Sequence, residues 1–210
     1  IKELKNYYNY NYDDIAVLCR TNYQTHHIQR VLPKEHIPYE VLGGTSFFDR
    51  QEIKYFVNYL RLLINPNDGL ALKRVFRKEA RGVGEILLSE MNKYATENNP
   101  TVIRGIGDKK GNNVIKFKKT VIDGLDSLRK KNMSIEKTVN EVYNIVDFRQ
   151  KILKSLENVE DRERYINLFI DDICSYAKNN RGKTLYDYLL INQLIGDQDR
   201  SDENNNKVKV

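Results

Sequence analysis

The chain has 210 residues, enough for one large or two small domains with cores of their own. Its 35 Lys and Arg against 29 Asp and Glu leave a formal net charge of +6, a balance that favours a polyanionic partner. Cys19 and Cys174 are the only cysteines and have no paired spacing, which disfavours a disulfide framework or a cysteine zinc site and points to a cytoplasmic protein. No apolar run approaches the roughly 20 residues needed to cross a bilayer, so no membrane partner is expected. The chain opens on Ile1 and closes on Lys207-Val208-Lys209-Val210, which alternates like the start of a strand. Both ends read as cut, and a fragment of a longer protein is expected.

In chain order, Ile15-Ala16-Val17-Leu18-Cys19 is a short, solid apolar run, the pattern of a strand buried on both faces of a parallel sheet. Thr21 or Asn22 can cap a following helix, with Ile28, Val31 and Leu32 on its inner face. Tyr39-Glu40-Val41-Leu42 predicts a second short strand, so residues 14–42 form a strand–helix–strand unit. Ile53, Phe56, Val57, Leu60, Leu63 and Ile64 fall on one helical stripe, which Asn65-Pro66-Asn67-Asp68 ends.

Helical spacing then continues. Leu70, Leu72, Val75 and Phe76 mark one helix; Ile86, Leu87, Met91, Tyr94 and Ala95 a second; Val114, Phe117, Val121, Leu125 and Leu128 a third. Ser134 can cap a fourth with Val139, Val142 and Val146 inside. Tyr165, Phe169, Ile173, Tyr176 and Ala177 predict a long fifth. Thr184 can cap a sixth with Leu185, Tyr188 and Leu189. Residues 196–207 are acidic, then Asn-rich, and predict a linker.

Two turns share a pattern: Arg81-Gly82-Val83-Gly84 and Arg104-Gly105-Ile106-Gly107-Asp108-Lys109-Lys110. A Gly-apolar-Gly turn lets backbone approach a phosphate because no Cβ intervenes. The helix that follows offers free N–H groups and a partial positive charge. The equally weighted alternative is that both are ordinary helix caps. Ala177-Lys178-Asn179-Asn180-Arg181-Gly182-Lys183-Thr184 fits a loosened phosphate-loop pattern, but helical spacing precedes it where a strand is needed, so a helix–turn–helix capped by Thr184 is preferred. His26, His27 and His36 have no metal spacing. Glu160-Asp161 and Asp171-Asp172 read as solvated helix faces. Tyr7, Tyr8, Tyr10 and Tyr12 can stack on bases, though covering the edge of a core is the favoured reading.

The run from Asp14 through Arg20 to Thr25 resembles helicase motif IV of the UvrD/Rep/PcrA group of superfamily 1. Ile37 to Lys54, containing Gly43-Gly44-Thr45-Ser46-Phe47-Phe48-Asp49-Arg50-Gln51-Glu52, is similar to the segment that follows in those enzymes, and Tyr59 to Asp68 continues in register. Arg81-Gly82-Val83-Gly84 falls where that family carries its first Gly-Ile-Gly turn, and Val208-Lys209-Val210 resembles the strand leading into motif V.

This resemblance implies an α/β plus mainly α fold. Residues 1–66 would be part of the RecA-like motor domain 2A, with a partial parallel sheet. Residues 67–195 would be the helical 2B domain with helix-hairpin-helix-like turns, and residues 196–210 a linker and returning strand. It implies an internal piece of an ATP-dependent DNA helicase moving 3′ to 5′. The phosphate-binding motifs would lie before residue 1 and the motif VI arginine after residue 210. ATP and Mg2+ would serve the full-length enzyme, with none expected on the isolated fragment, which should be inactive.

Arg20 matches the arginine that reaches the γ-phosphate; taken alone it reads as a solvated residue at a strand end. Cys19 stands where the family usually has a tyrosine stacked on adenine, and a thiol offers less stacking area. Gly44, Thr45 and Ser46 match a loop beside the single-stranded DNA track, whereas Phe47 and Phe48 read as core. Arg81, Gly82, Val83 and Gly84, with Arg104, Gly105, Ile106, Gly107 and Lys109, match turns that meet the duplex backbone. Glu79 stands where the family usually has proline. Implied partners are single-stranded and duplex DNA and a repair or replication protein. The rival reading is a non-catalytic helical module that binds duplex DNA or a protein.

Overall fold

A computed structural model describes residues 1–20, 22–42, 47–79, 116–191 and 206–210. The helix marked by Ile86 to Ala95, both Gly-apolar-Gly turns and nearly all of the 196–207 segment lie outside the described residues. The chain divides into two compact units, residues 1–50 with 190–210, and residues 51–189. Helix Gln51–Ile64, expected in the first segment, thus packs with the helical one.

In the first unit, helix α1 (Lys2–Tyr8) leads through a 3-10 turn (Tyr12–Asp14) to Ile15. Helix α2 spans Asn22–Val31, and strands β1 (Tyr39–Glu40) and β2 (Val208–Lys209) pair in parallel, Tyr39 opposite Val208 and Glu40 opposite Lys209. The far edge of β2 meets the Ile15–Val17 segment, also in parallel: Val17 N–H donates to Lys209 O at 2.8 Å, and Lys209 N–H to Ile15 O at 3.1 Å. The chain's last residues therefore sit between its first two extended segments. Ile15, Leu32, Ile37, Tyr39 and Val208 form the core of this unit, with Tyr12, Val17, Ile28 and Val41 packed at its edge.

Three expectations need correction here. The 15–19 run is paired only at Ile15–Val17 and is buried on one face: Ile15 points into the core, whereas Ala16 is exposed and Leu18 is 96% exposed. Strand side chains alternate faces, and among the described residues nothing covers the second face. The second strand is shorter than Tyr39–Leu42, although Leu42 N–H still donates to Val210 O at 2.9 Å. Of the early tyrosines, only Tyr12 edges the core, with Lys5 Nζ 4.3 Å from its ring centroid; Tyr7, Tyr8 and Tyr10 are exposed.

The second unit is helical and is built around α3 (Gln51–Ile64). Phe56 makes edge-to-face contacts with Phe148 and Phe169, centroids 5.1 and 6.3 Å away, and Tyr59 meets Phe148 at 6.1 Å. Burial of each such ring is worth about 2 kcal/mol, with up to ~1 kcal/mol more from ring geometry. The Asn65–Asp68 turn ends α3 and starts α4 (Gly69–Glu79): Asp68 Oδ1 accepts from Ala71 N–H at 2.9 Å while its Oδ2 pairs with Arg61 Nε at 2.7 Å. Arg129 closes the other side of the α3 C-terminus, donating to the carbonyls of Leu63 at 2.7 Å and Leu62 at 3.0 Å.

A π-helical turn (Lys118–Ile122) runs into α5 (Asp123–Arg129). Phe117, Val121 and Leu125 are spaced by four, which drifts off one face of a regular α-helix. The wider turn keeps all three buried. Helix α6 (Ile135–Ile145) begins at Ser134, whose hydroxyl accepts from Lys137 N–H as the sequence predicts. After the short α7 (Phe148–Lys151) comes α8 (Val159–Asn179), then the 185–191 helix, α9. Asp172, expected on a solvated face, is buried, and Tyr188 Oη donates to its Oδ2 at 2.9 Å. Packing of α8 against α9 turns that carboxylate inward, and the phenol satisfies it. Glu160 and Asp161 are exposed, as expected.

Candidate functional site

Arg20 lies just beyond the Ile15–Val17 pairing, in a bend that enters α2. In parallel α/β layers the carboxyl ends of strands, where the chain turns into a helix, are the usual ligand positions. Its backbone N–H donates to Gln24 Oε1 at 3.0 Å. Gln24 is the third residue of α2, the position from which a Gln or Glu side chain reaches back to the entering backbone. The turn is thereby braced, and the Arg20 guanidinium is exposed, with no side-chain partner among the described residues. Cys19, a free thiol, is half-buried beside it. The sequence marks Gln24 only as part of a run; its spacing from the helix entry is the signal for its bracing role.

Toward a nucleotide, an exposed guanidinium on a braced backbone could offer a positive fork to a phosphate oxygen. Among the described residues no group of three or more His, Cys, Asp or Glu side chains is arranged to hold a metal ion. The fit to ATP with Mg2+ therefore rests on the guanidinium. Bound ATP would supply the phosphoryl group whose developing charge such a fork stabilises.

Gly44, Thr45, Ser46, Arg81, Gly82, Val83, Gly84, Arg104, Gly105, Ile106, Gly107 and Lys109 lie outside the described residues. Phe47, which follows the first of these groups, is buried, and its N–H donates to Gln29 Oε1 at 3.2 Å. The loosened phosphate-loop pattern is a helix–turn–helix. Helix α8 precedes it, Gly182 adopts φ +83°, and Thr184 and Asp187 cap α9 reciprocally through bonds of 2.7 and 3.2 Å. The backbone N–H of Thr184, then its hydroxyl, holds the Asp187 carboxyl below its usual range. Among the described residues no helix is long and apolar enough to cross a membrane.

A small parallel sheet joined in sequence to a mainly helical unit agrees with the α/β plus mainly α fold that the resemblance implies. The model of the UvrD-like helicase C-terminal domain matches residues 1–210, and the chain belongs to that family, among the UvrD/PcrA-type superfamily 1 helicases.

The chain is 33% identical over 202 residues to the ATP-dependent DNA helicase PcrA of Bacillus subtilis (strain 168), covering 90% of this chain and 27% of that protein. It is 32% identical over 209 residues to the ATP-dependent DNA helicase PcrA of Staphylococcus aureus (strain Mu50), covering 92% of this chain and 28% of the relative. A Staphylococcus epidermidis protein of the same name is 30% identical over 210 residues, with the same coverage. The chain thus spans a little over a quarter of the length of these relatives.

Proposed function

We propose that this chain is part of an ATP-dependent DNA helicase, contributing the Arg20 guanidinium to the nucleotide cleft and a basic helical unit to the DNA backbone. The observation that carries this reading is Arg20 itself: exposed, braced by Gln24, and at the end of a parallel-paired segment in a chain matched throughout by the helicase family. Residues 1–50 with 190–210 are then the partial RecA-like layer, and the helical unit is the insertion. ATP with Mg2+ is held chiefly by parts of the longer protein, single-stranded DNA is the track, and duplex DNA lies against the helical unit. Movement is 3′ to 5′ by resemblance, and the protein works in the cytoplasm.

Replacing Arg20 tests the reading in the full-length protein. Arg20→Ala should lower kcat for DNA-stimulated ATP hydrolysis by about 1,000-fold, as removal of a charge-stabilising arginine does. Single-stranded DNA affinity should stay within a few-fold. Arg20→Lys should recover little, because an ammonium lacks the planar fork. Unaltered hydrolysis in Arg20→Ala would sink the proposal. The isolated 210-residue chain should hydrolyse no ATP.

A further inference from the structure

Past Val17, whose N–H donates to Lys209 O at 2.8 Å, the chain leaves the sheet, and Leu18 is 96% exposed. It is caught again at Arg20, where the backbone N–H donates to Gln24 Oε1 at 3.0 Å. Helix α2 starts at Asn22, and Gln24 is its third residue. In a capping box, a third-position Gln bonds the N–H of the residue just before the helix. Gln24 bonds an N–H one residue earlier, that of the arginine itself. The helix that presents Gln24 is in turn anchored: Ile28 packs against the core of this unit, and the buried Gln29 accepts from Phe47 N–H at 3.2 Å. The Gln24 amide is neutral. It holds the backbone without offering the guanidinium a carboxylate to pair with, and the Arg20 side chain stays exposed.

We infer that Gln24 is a positioning residue: it fixes the backbone at Arg20 so that the guanidinium meets a phosphate oxygen in a set orientation. The inference rests on the role proposed above for Arg20 as a phosphate-binding group, and deepens it. A guanidinium fork acts through planar N–H groups that must face the oxygens. A misplacement of about 1 Å at such a contact can cost ~100-fold. A long side chain on an unpinned bend would also lose more conformational freedom on binding. The phosphate belongs to the bound nucleotide or to the DNA backbone, which present the same oxygens to an arginine.

The test uses the full-length protein with Arg20→Ala, with Gln24→Met, and with both substitutions together. Methionine keeps the length and the helix propensity of glutamine but is only a weak acceptor. Each protein is assayed for kcat and KM in DNA-stimulated ATP hydrolysis and for affinity to a dT single strand. Gln24→Met should lower by about tenfold the same quantity that Arg20→Ala lowers. That quantity is kcat if the phosphate is the nucleotide's, and single-strand affinity if it is the DNA backbone's. In the double variant, Gln24→Met should add less than about twofold to the loss from Arg20→Ala, because no guanidinium is left to position. A loss that persists at full size on top of Arg20→Ala assigns Gln24 to helix stability alone and overturns the inference. An unaltered Gln24→Met protein beside an impaired Arg20→Ala one also overturns it, and leaves the reading of Arg20 intact. Arg20→Ala with hydrolysis and single-strand affinity both unaltered overturns the reading of Arg20, and the inference with it.

Discussion

Tyr143 shows how one residue's surroundings turn into a measurable pH dependence. Its hydroxyl lies 3.2 Å from Glu163 Oε1, and that carboxylate is also held by Arg149 Nε at 2.8 and 2.9 Å. Burial first, and then the negative charge of Glu163, push the phenol up to about 12. An unfolded tyrosine titrates near ~10, so the fold favours the neutral phenol. Its contribution to stability is complete below that value and is lost as pH rises from about 10 to about 12. Urea unfolding midpoints should fall across this window in the wild type and fall less in Tyr143→Phe. Parallel curves for the two proteins would mean that the phenol is not held as described. At the same scale, the motif IV resemblance marks Arg20 and passes over Gln24, whose side chain accepts from the Arg20 backbone N–H. The residue that braces the turn is visible only once the helix start is known, and that start depends on backbone geometry.

At the scale of elements, the helices were largely readable. The stripe from Ile53 to Ile64, the Ser134 and Thr184 caps and the long α8 all follow from local spacing and local hydrogen bonds. Pairings between helices were not readable, because nothing in a local window names a partner 110 residues away. Glu52 is fully buried and receives Arg162 Nη1 from α8. A carboxylate at that depth is tolerated because a guanidinium meets it. Arg162→Ala should therefore destabilise the helical unit by roughly 3 kcal/mol, since it removes the guanidinium that pairs with a buried carboxylate. Chemical denaturation can check this, and a cost under about 0.5 kcal/mol, typical of a surface pair, would contradict it. Asp172 teaches the same lesson: its neighbour Asp171 is exposed as the sequence suggests, whereas Asp172 is claimed by Tyr188 of the next helix.

At the scale of the whole molecule, the first unit depends on residues at both ends of the chain. Strand β2 supplies partners to Ile15–Val17 on one edge and to β1 on the other. Removing residues 207–210 should abolish slow hydrogen exchange at the amides of Val17 and Leu42, which donate to Lys209 and Val210, and loosen the core around Ile15, Leu32 and Tyr39. Amides within 51–189 should keep their protection. Retained protection at Val17 would show that β2 is dispensable. Such closure over most of the chain is entropically costly and slow to form, so the helical unit should fold first.

Local sequence was enough to mark the longer described helices, the Ser134 and Thr184 caps, and an arginine after a short apolar run ahead of a helix. Those features depend on propensity, periodicity and hydrogen bonds within a few residues. Tertiary contacts alone place β2 between the two earlier extended segments, leave one face of Ile15–Val17 uncovered among the described residues, and bury Glu52 and Asp172 with partners. Each of these depends on which surfaces meet in space, and the burial that drives such meetings has no signature at short range along the chain.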